Sequence, residues 1–124
     1  MNRFVLVLVG GGIGAVTRYG TTLLAGRILG PDFPWGTLLV NLGGCFLIGV
    51  ALALGERSSL MPPHLRLFFV TGFLGGLTTF SSYAMETVVG ARGSLSLAAL
   101  NIALNNVAGL ALVVLGARLA TALV

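Results

Sequence analysis

Thr71-Gly72-Phe73-Leu74-Gly75-Gly76-Leu77-Thr78-Thr79-Phe80-Ser81-Ser82-Tyr83 lies inside a long apolar run and breaks its character. Where a plain membrane helix would carry Leu and Val, it has Gly72, Gly75 and Gly76, then Thr78, Thr79, Ser81 and Ser82. At membrane depth, backbone outside a helix is tolerated only when buried in protein or lining a wet cavity. Such a break offers free carbonyls to a cation and a half-helix N-terminus to an anion. The segment therefore reads as an ion site in a small membrane protein.

The rest of the chain agrees. Its 124 residues are 56% hydrophobic and 8% charged, with a mean hydropathy of +1.04. A soluble domain carries about 25% charged residues, and seven Arg, no Lys and three acids cannot build a water-facing surface. The net charge of +4 is thus no sign of nucleic-acid binding. The Arg residues cluster near the ends of apolar runs, as membrane flanks do.

A spanning helix needs about 20 apolar residues. Four runs qualify: residues 4–29, 36–55, 64–89 and 95–124. Gly30-Pro31-Asp32-Phe33-Pro34 separates the first pair, Glu56-Arg57-Ser58-Ser59 with Pro62-Pro63 the second, and Gly90-Ala91-Arg92-Gly93 the third. So little loop predicts one all-α membrane domain over residues 1–124, with four transmembrane helices and a broken third. The first run resembles a signal peptide but is too long and lacks a plausible cleavage motif, so it reads as a retained helix. Cys45 is alone and mid-helix, which excludes a disulfide framework and suits a packing residue.

Four spans put Arg3, Arg57, Arg66 and Arg118 on one side and Arg27 and Arg92 on the other. Four against two is a weak positive-inside bias. The chain either inserts one way under a slight preference or inserts both ways and pairs antiparallel. Four short helices barely surround a pore, so an oligomer is expected, and two-fold dimers are the commonest.

The polar residues at depth define the candidate chemistry. Gly10-x-Gly12-x-x-Ala15 imitates a dinucleotide fingerprint, but no strand–helix alternation follows it. Gly10 and Gly14 instead form a small-residue pair that lets helices approach closely. Arg18 lies about 20 Å along its helix from Phe4, deep in a hydrocarbon layer of about 30 Å. It either snorkels to the far interface or sits at a vestibule that draws anions in. Trp35 fits an interfacial anchor. Asn41 must bond across helices or line a polar path. Asn101, Asn105 and Gly109 share one face of the fourth span, and Asn106 lies about 100° around it. Phe80 and Tyr83 share a face of the resumed third helix, where they either pack or turn their electropositive ring edges towards an anion. Glu86 falls near the opposite interface, where a solvated or Arg-paired role fits.

His64 is the only histidine, and the chain lacks a Ser/His/Asp or Cys/His set and a pair of acids, which argues against an enzyme. Neutral donors, aromatic edges and one Arg suit a small anion moving passively. The alternative is a small four-helix multidrug or cation exporter, which shares the size and the dual topology. Such an exporter needs a carboxylate near mid-membrane, and its first helix has none.

Three stretches, in order, then carry a family resemblance: Gly11-Gly12-x-Gly14-Ala15-x-x-Arg18-Tyr19, Gly36-Thr37-Leu38-x-Val40-Asn41-x-x-Gly44 and Gly72-Phe73-x-Gly75-Gly76-x-Thr78-Thr79-Phe80-Ser81. Across essentially its whole length the chain resembles the Fluc (CrcB) fluoride channels. The resemblance implies an antiparallel dual-topology homodimer in a bacterial inner membrane, with two fluoride paths and passive export of cytoplasmic fluoride. It implies a central structural sodium ion, held on the matching positions by the carbonyls of Gly75 and Thr78 from both subunits. It puts Asn41, Phe80 and Ser81 along the fluoride path and Arg18 at its vestibule. The second aromatic is usually Phe in that family and is Tyr83 here. The polar track on the fourth helix has no clean match, leaving Asn105 and Asn106 as candidates.

Overall fold

The computed structural model describes residues 2–57 and 59–124; Met1, Ser58 and the side chain of Arg57 lie outside the described residues. Four spans are long and apolar enough to cross a membrane. They are built from α1 (Arg3–Leu29), α2 (Trp35–Arg57), α3 (residues 63–77), α4 (Phe80–Ala91) and α5 (Leu95–Leu123). The third span is α3 followed by α4, parted at Thr78 and Thr79.

Local chemistry sets the ends. Asn2 caps α1 by accepting the Phe4 N–H at 3.0 Å. Gly30 ends it at φ +85°, a left-handed conformation that only glycine adopts without strain. Pro63 starts α3 in the first turn, where its missing N–H costs nothing. Ser94 caps α5 by accepting the Leu97 N–H. Two stretches widen into π-helix, Leu67–Leu74 in α3 and Leu104–Ala108 in α5. Gly72 in the first and Asn105-Asn106 in the second are weak helix formers, but nothing in the sequence distinguishes a widened helix from an ordinary one.

Apolar side chains cover much of the outside: Leu8, Val16, Ile28, Val88 and Leu110 are all exposed. Lipid is as apolar as leucine, so close packing and hydrogen bonds must hold the helices together. Glycines supply the packing. α1 lies so close to α3 that a Cβ on Gly10 would strike the Phe68 carbonyl, and one on Gly14 the Phe73 carbonyl. The same holds between α2 and α5, where Gly49 faces the Val113 carbonyl and Gly116 the Phe46 carbonyl. Between these pairs sits a small core of Val40, Leu74 and Leu77, bordered by Leu47, Phe69 and Phe73.

Candidate functional site

The break consists of two extended residues, Thr78 (φ −81°, ψ 154°) and Thr79 (φ −151°, ψ 115°). In an unbroken helix the Thr79 N–H would bond the Gly75 carbonyl, and the Thr79 carbonyl would accept from Tyr83. Asn41 of α2 meets both needs instead. Its Oδ1 accepts the Thr79 N–H at 2.8 Å and its Nδ2 donates to the Thr79 carbonyl at 3.1 Å. One turn along α2, Gly44 leaves room for Thr78, whose methyl group occupies the space a Cβ would need. The sequence left Asn41 between holding helices together and lining a path; it holds the break and also lines a cavity.

Thr79 then restarts the helix as its N-cap, accepting the Ser82 N–H at 3.2 Å. Thr79→Ala is expected to cost about 1 kcal/mol, read as a lower unfolding temperature in detergent. On the other side of the break, Arg18 Nε donates to the Gly76 carbonyl at 3.1 Å. A cation on the last carbonyls of α3 opposes the negative end of its dipole. Arg18 thus sits against the break, where it lines a cavity of about 290 Å³ with Thr37, Thr79, Ser82 and Glu86.

From Asn41 a string of amides runs along α5. Asn41 Nδ2 donates to Asn105 Oδ1 at 2.9 Å, and Asn105 Nδ2 donates to the carbonyl and Oδ1 of Asn101, each at 2.9 Å. Asn101 is almost fully buried and donates to Thr87 Oγ1 at 2.8 Å, which in turn donates to the Tyr83 carbonyl at 2.7 Å. The orientation of each amide follows from the first. A backbone N–H can only donate, so Asn41 Oδ1 must face it, and every later donor is fixed in turn.

The widened turn at Leu104–Ala108 lets neighbouring residues face different elements. Asn105 reaches α2, while Asn106 Nδ2 donates to Tyr83 Oη at 3.0 Å and to the Ile102 carbonyl at 2.8 Å. Phe80 and Tyr83 meet edge to face, with ring centroids 5.4 Å apart. Phe80 is 76% exposed and Tyr83 only 8%, so the two rings of one helix turn are very differently sheltered.

Around a cavity of about 370 Å³ the fold gathers Asn41, Asn105, Asn106, Phe80 and Tyr83, with Gly75, Thr78 and Thr79 on its wall. Cys45 lines it too, as a free thiol. Thr79 borders both this cavity and the one beside Arg18. Ser81 stands apart: it is exposed and lines neither.

Four further residues join the site: Thr37, Glu86, Asn101 and Thr87. Thr37 donates to Glu86 Oε1 at 2.9 Å, while the other Glu86 oxygen is buried without a hydrogen-bond partner among the described residues. The spacing of Thr79, Tyr83 and Glu86 puts the carboxylate on the cavity-lining face of α4, a signal present in the sequence. Asn101 reads from sequence only as part of a helix seam, and nothing in the sequence singles out Thr87.

Residues 5–117 match the family described as CrcB-like protein, Camphor Resistance (CrcB). The chain belongs to the CrcB family. It is 45% identical over 120 residues to a fluoride-specific ion channel FluC of Agrobacterium fabrum, covering 96% of each chain. It is 44% identical over 118 residues to a protein of the same name in Salinibacter ruber, covering 94% of this chain and 88% of that one. A Rhizobium etli protein of that name is 50% identical over 88 residues, 71% of this chain and 70% of its own. These CrcB relatives are named as channels, not enzymes. Four spans and bacterial relatives make this CrcB chain a multi-pass protein of the bacterial inner membrane.

Proposed function

We propose that the chain is a fluoride-specific ion channel that lets accumulated cytoplasmic fluoride leave passively. The observation that carries this reading is the 370 Å³ cavity, where the break, the amide string and both aromatic rings meet. Among the described residues no carboxylate lines it to hold or couple a cation, while ring edges and a hydroxyl there are groups an anion can use. The named function of relatives about 45% identical along nearly the whole chain supports the same reading. The path runs along Asn41, Phe80, Tyr83, Asn105 and Asn106, with Arg18 as the positive charge beside its second cavity. Ser81, exposed on the single chain, joins it where a second copy covers that face.

The working unit is an antiparallel, dual-topology homodimer embedded in lipid. Phe80, the most exposed of the path residues with an aromatic ring, needs a second surface to complete a channel wall. A structural sodium ion sits at the dimer centre, bound by the carbonyls of Gly75 and Thr78. What supports it is the donor set: the Thr79 N–H that would satisfy Gly75 is held by Asn41, and the extended Thr78 lifts its own carbonyl out of the helix. An all-oxygen site suits a hard cation, and two carbonyls from one subunit leave the sphere to be completed by the other.

Phe80→Ile tests the path. The ring edge is lost while the apolar bulk remains, so fluoride efflux from liposomes is expected to fall about tenfold, the worth of one ring-edge contact of about 1.4 kcal/mol. The dimer should elute unchanged. Wild-type flux from this variant would mean that the ring only packs.

A further inference from the structure

Resting on the channel reading, one residue pair goes beyond it. Tyr83 and Asn106 both line the 370 Å³ cavity, and their side chains are hydrogen-bonded to each other at 3.0 Å. The direction of that bond is decided by a third atom. Asn106 Nδ2 also lies 2.8 Å from the Ile102 carbonyl, which can only accept. Turning the amide over would put oxygen against oxygen, so nitrogen faces both partners. The Tyr83 oxygen is therefore the acceptor, and its own proton must go elsewhere.

Among the described residues no acceptor takes that proton. The surrounding amide donors are already engaged: Asn41 gives its N–H groups to Thr79 and Asn105, and Asn105 gives its own to Asn101. In a cavity lined mainly by apolar atoms, one unclaimed O–H is left facing a guest. A small, hard anion is the guest such a donor favours most, because O–H bonds to anions are short and about twice as strong as neutral ones.

We propose that the Tyr83 hydroxyl is a fluoride-binding donor, and that Asn106 is a positioning residue that turns the Tyr83 proton towards the anion. The pair forms a binding subsite that a phenylalanine at this position would lack. Asn106 lines the path but donates nothing to fluoride in this scheme: its Nδ2 is engaged by the Tyr83 oxygen and the Ile102 carbonyl, which fixes the ring. Chloride, larger and a weaker acceptor, gains less from the same donor, so the pair also sharpens discrimination.

The test is the fluoride concentration giving half-maximal flux in liposomes, measured for the wild type, Tyr83→Phe, Asn106→Leu and the double variant. Losing one hydrogen bond to a charged group is expected to raise that concentration about tenfold. Asn106→Leu should approach the same value, and the double variant should be no worse than Tyr83→Phe alone. An unchanged value for Tyr83→Phe would overturn the donor, and multiplying effects in the double variant would overturn the positioning role. A second readout separates the site from the channel. The ultraviolet difference spectrum of wild type minus Tyr83→Phe cancels Tyr19 and isolates Tyr83; adding sodium fluoride, but not sodium chloride, should shift it. A fluoride-dependent shift in a wild type that passes no fluoride would retain the site and reject the channel. No shift would reject the site, whatever the flux.

Discussion

Asn41→Leu is expected to reduce fluoride flux at least about a hundredfold, equivalent to nearly 3 kcal/mol on the limiting barrier, and to lower stability at the same time. Leucine shares the branching and heavy-atom count of asparagine, so the main change is one of chemistry. It strands three groups at once: the Thr79 N–H, the Thr79 carbonyl and Asn105 Oδ1. Each buried polar group left without a partner costs about 1–3 kcal/mol, and within a membrane no bulk water replaces what is lost. The third span would then close the break by re-forming helix, withdrawing the Gly75 carbonyl, or else loosen around it. Asn41→Asp discriminates further, because its carboxylate still accepts the Thr79 N–H but can donate to neither partner. Efflux from liposomes and the unfolding temperature in detergent read both effects. An Asn41→Leu protein with wild-type flux would mean that the break stands without it.

The second large effect is structural. Gly14→Val is expected to destabilise the fold by at least about 3 kcal/mol, at the upper end of what overpacking costs. A Cβ on Gly14 would overlap the Phe73 carbonyl and come within 2.8 Å of the Leu77 nitrogen. Both are backbone atoms of α3, so no side chain can rotate away, and α1 must separate from the half-helix that ends at the break. Gly12→Val is the control, since a Cβ there meets nothing within 4 Å. The measurement is the yield of monodisperse protein and its unfolding temperature: Gly12→Val near wild type, Gly14→Val poorly recovered. Equal behaviour of the two would show that α1 and α3 are not in the contact described.

How far the sequence could be read follows from which interactions are local. The four spans were visible because apolar length is a property of each segment alone. The break was visible because Gly75-Gly76 followed by Thr78-Thr79 departs from the composition of a lipid-facing helix. Gly10 and Gly14 announced a close contact by their spacing, though not that α3 was the partner. What could not be read was pairing across helices. Asn41 meets Thr79 38 residues away and Asn105 64 residues away, and nothing in any one span chooses between those bonds and a free amide. Arg18 illustrates the same limit: its depth was clear, but its acceptor, the Gly76 carbonyl, exists only because the helix ends there. Asn106 was placed about 100° from Asn105 by ordinary helix geometry. The π-turn over Leu104–Ala108 alters that local geometry, and with it the partner each amide can reach.

Glu86 shows where a reading from position alone misleads. Counting residues from the break puts it near a membrane interface, where solvent or an arginine would balance it. Instead Thr37, at the start of α2, donates to one oxygen while the other is buried. A carboxylate inside the third span is the one feature an exporter would use, but family membership and the neutral lining of the main cavity weigh towards a channel.

One measurement addresses the central claim most directly. Purified protein is reconstituted into liposomes loaded with potassium fluoride, valinomycin is added to release the potassium, and external fluoride is followed with an electrode. A parallel set of vesicles holds potassium chloride. Rapid loss of fluoride with chloride retained is the expected result. A well-folded protein that releases neither ion, or both alike, would contradict it.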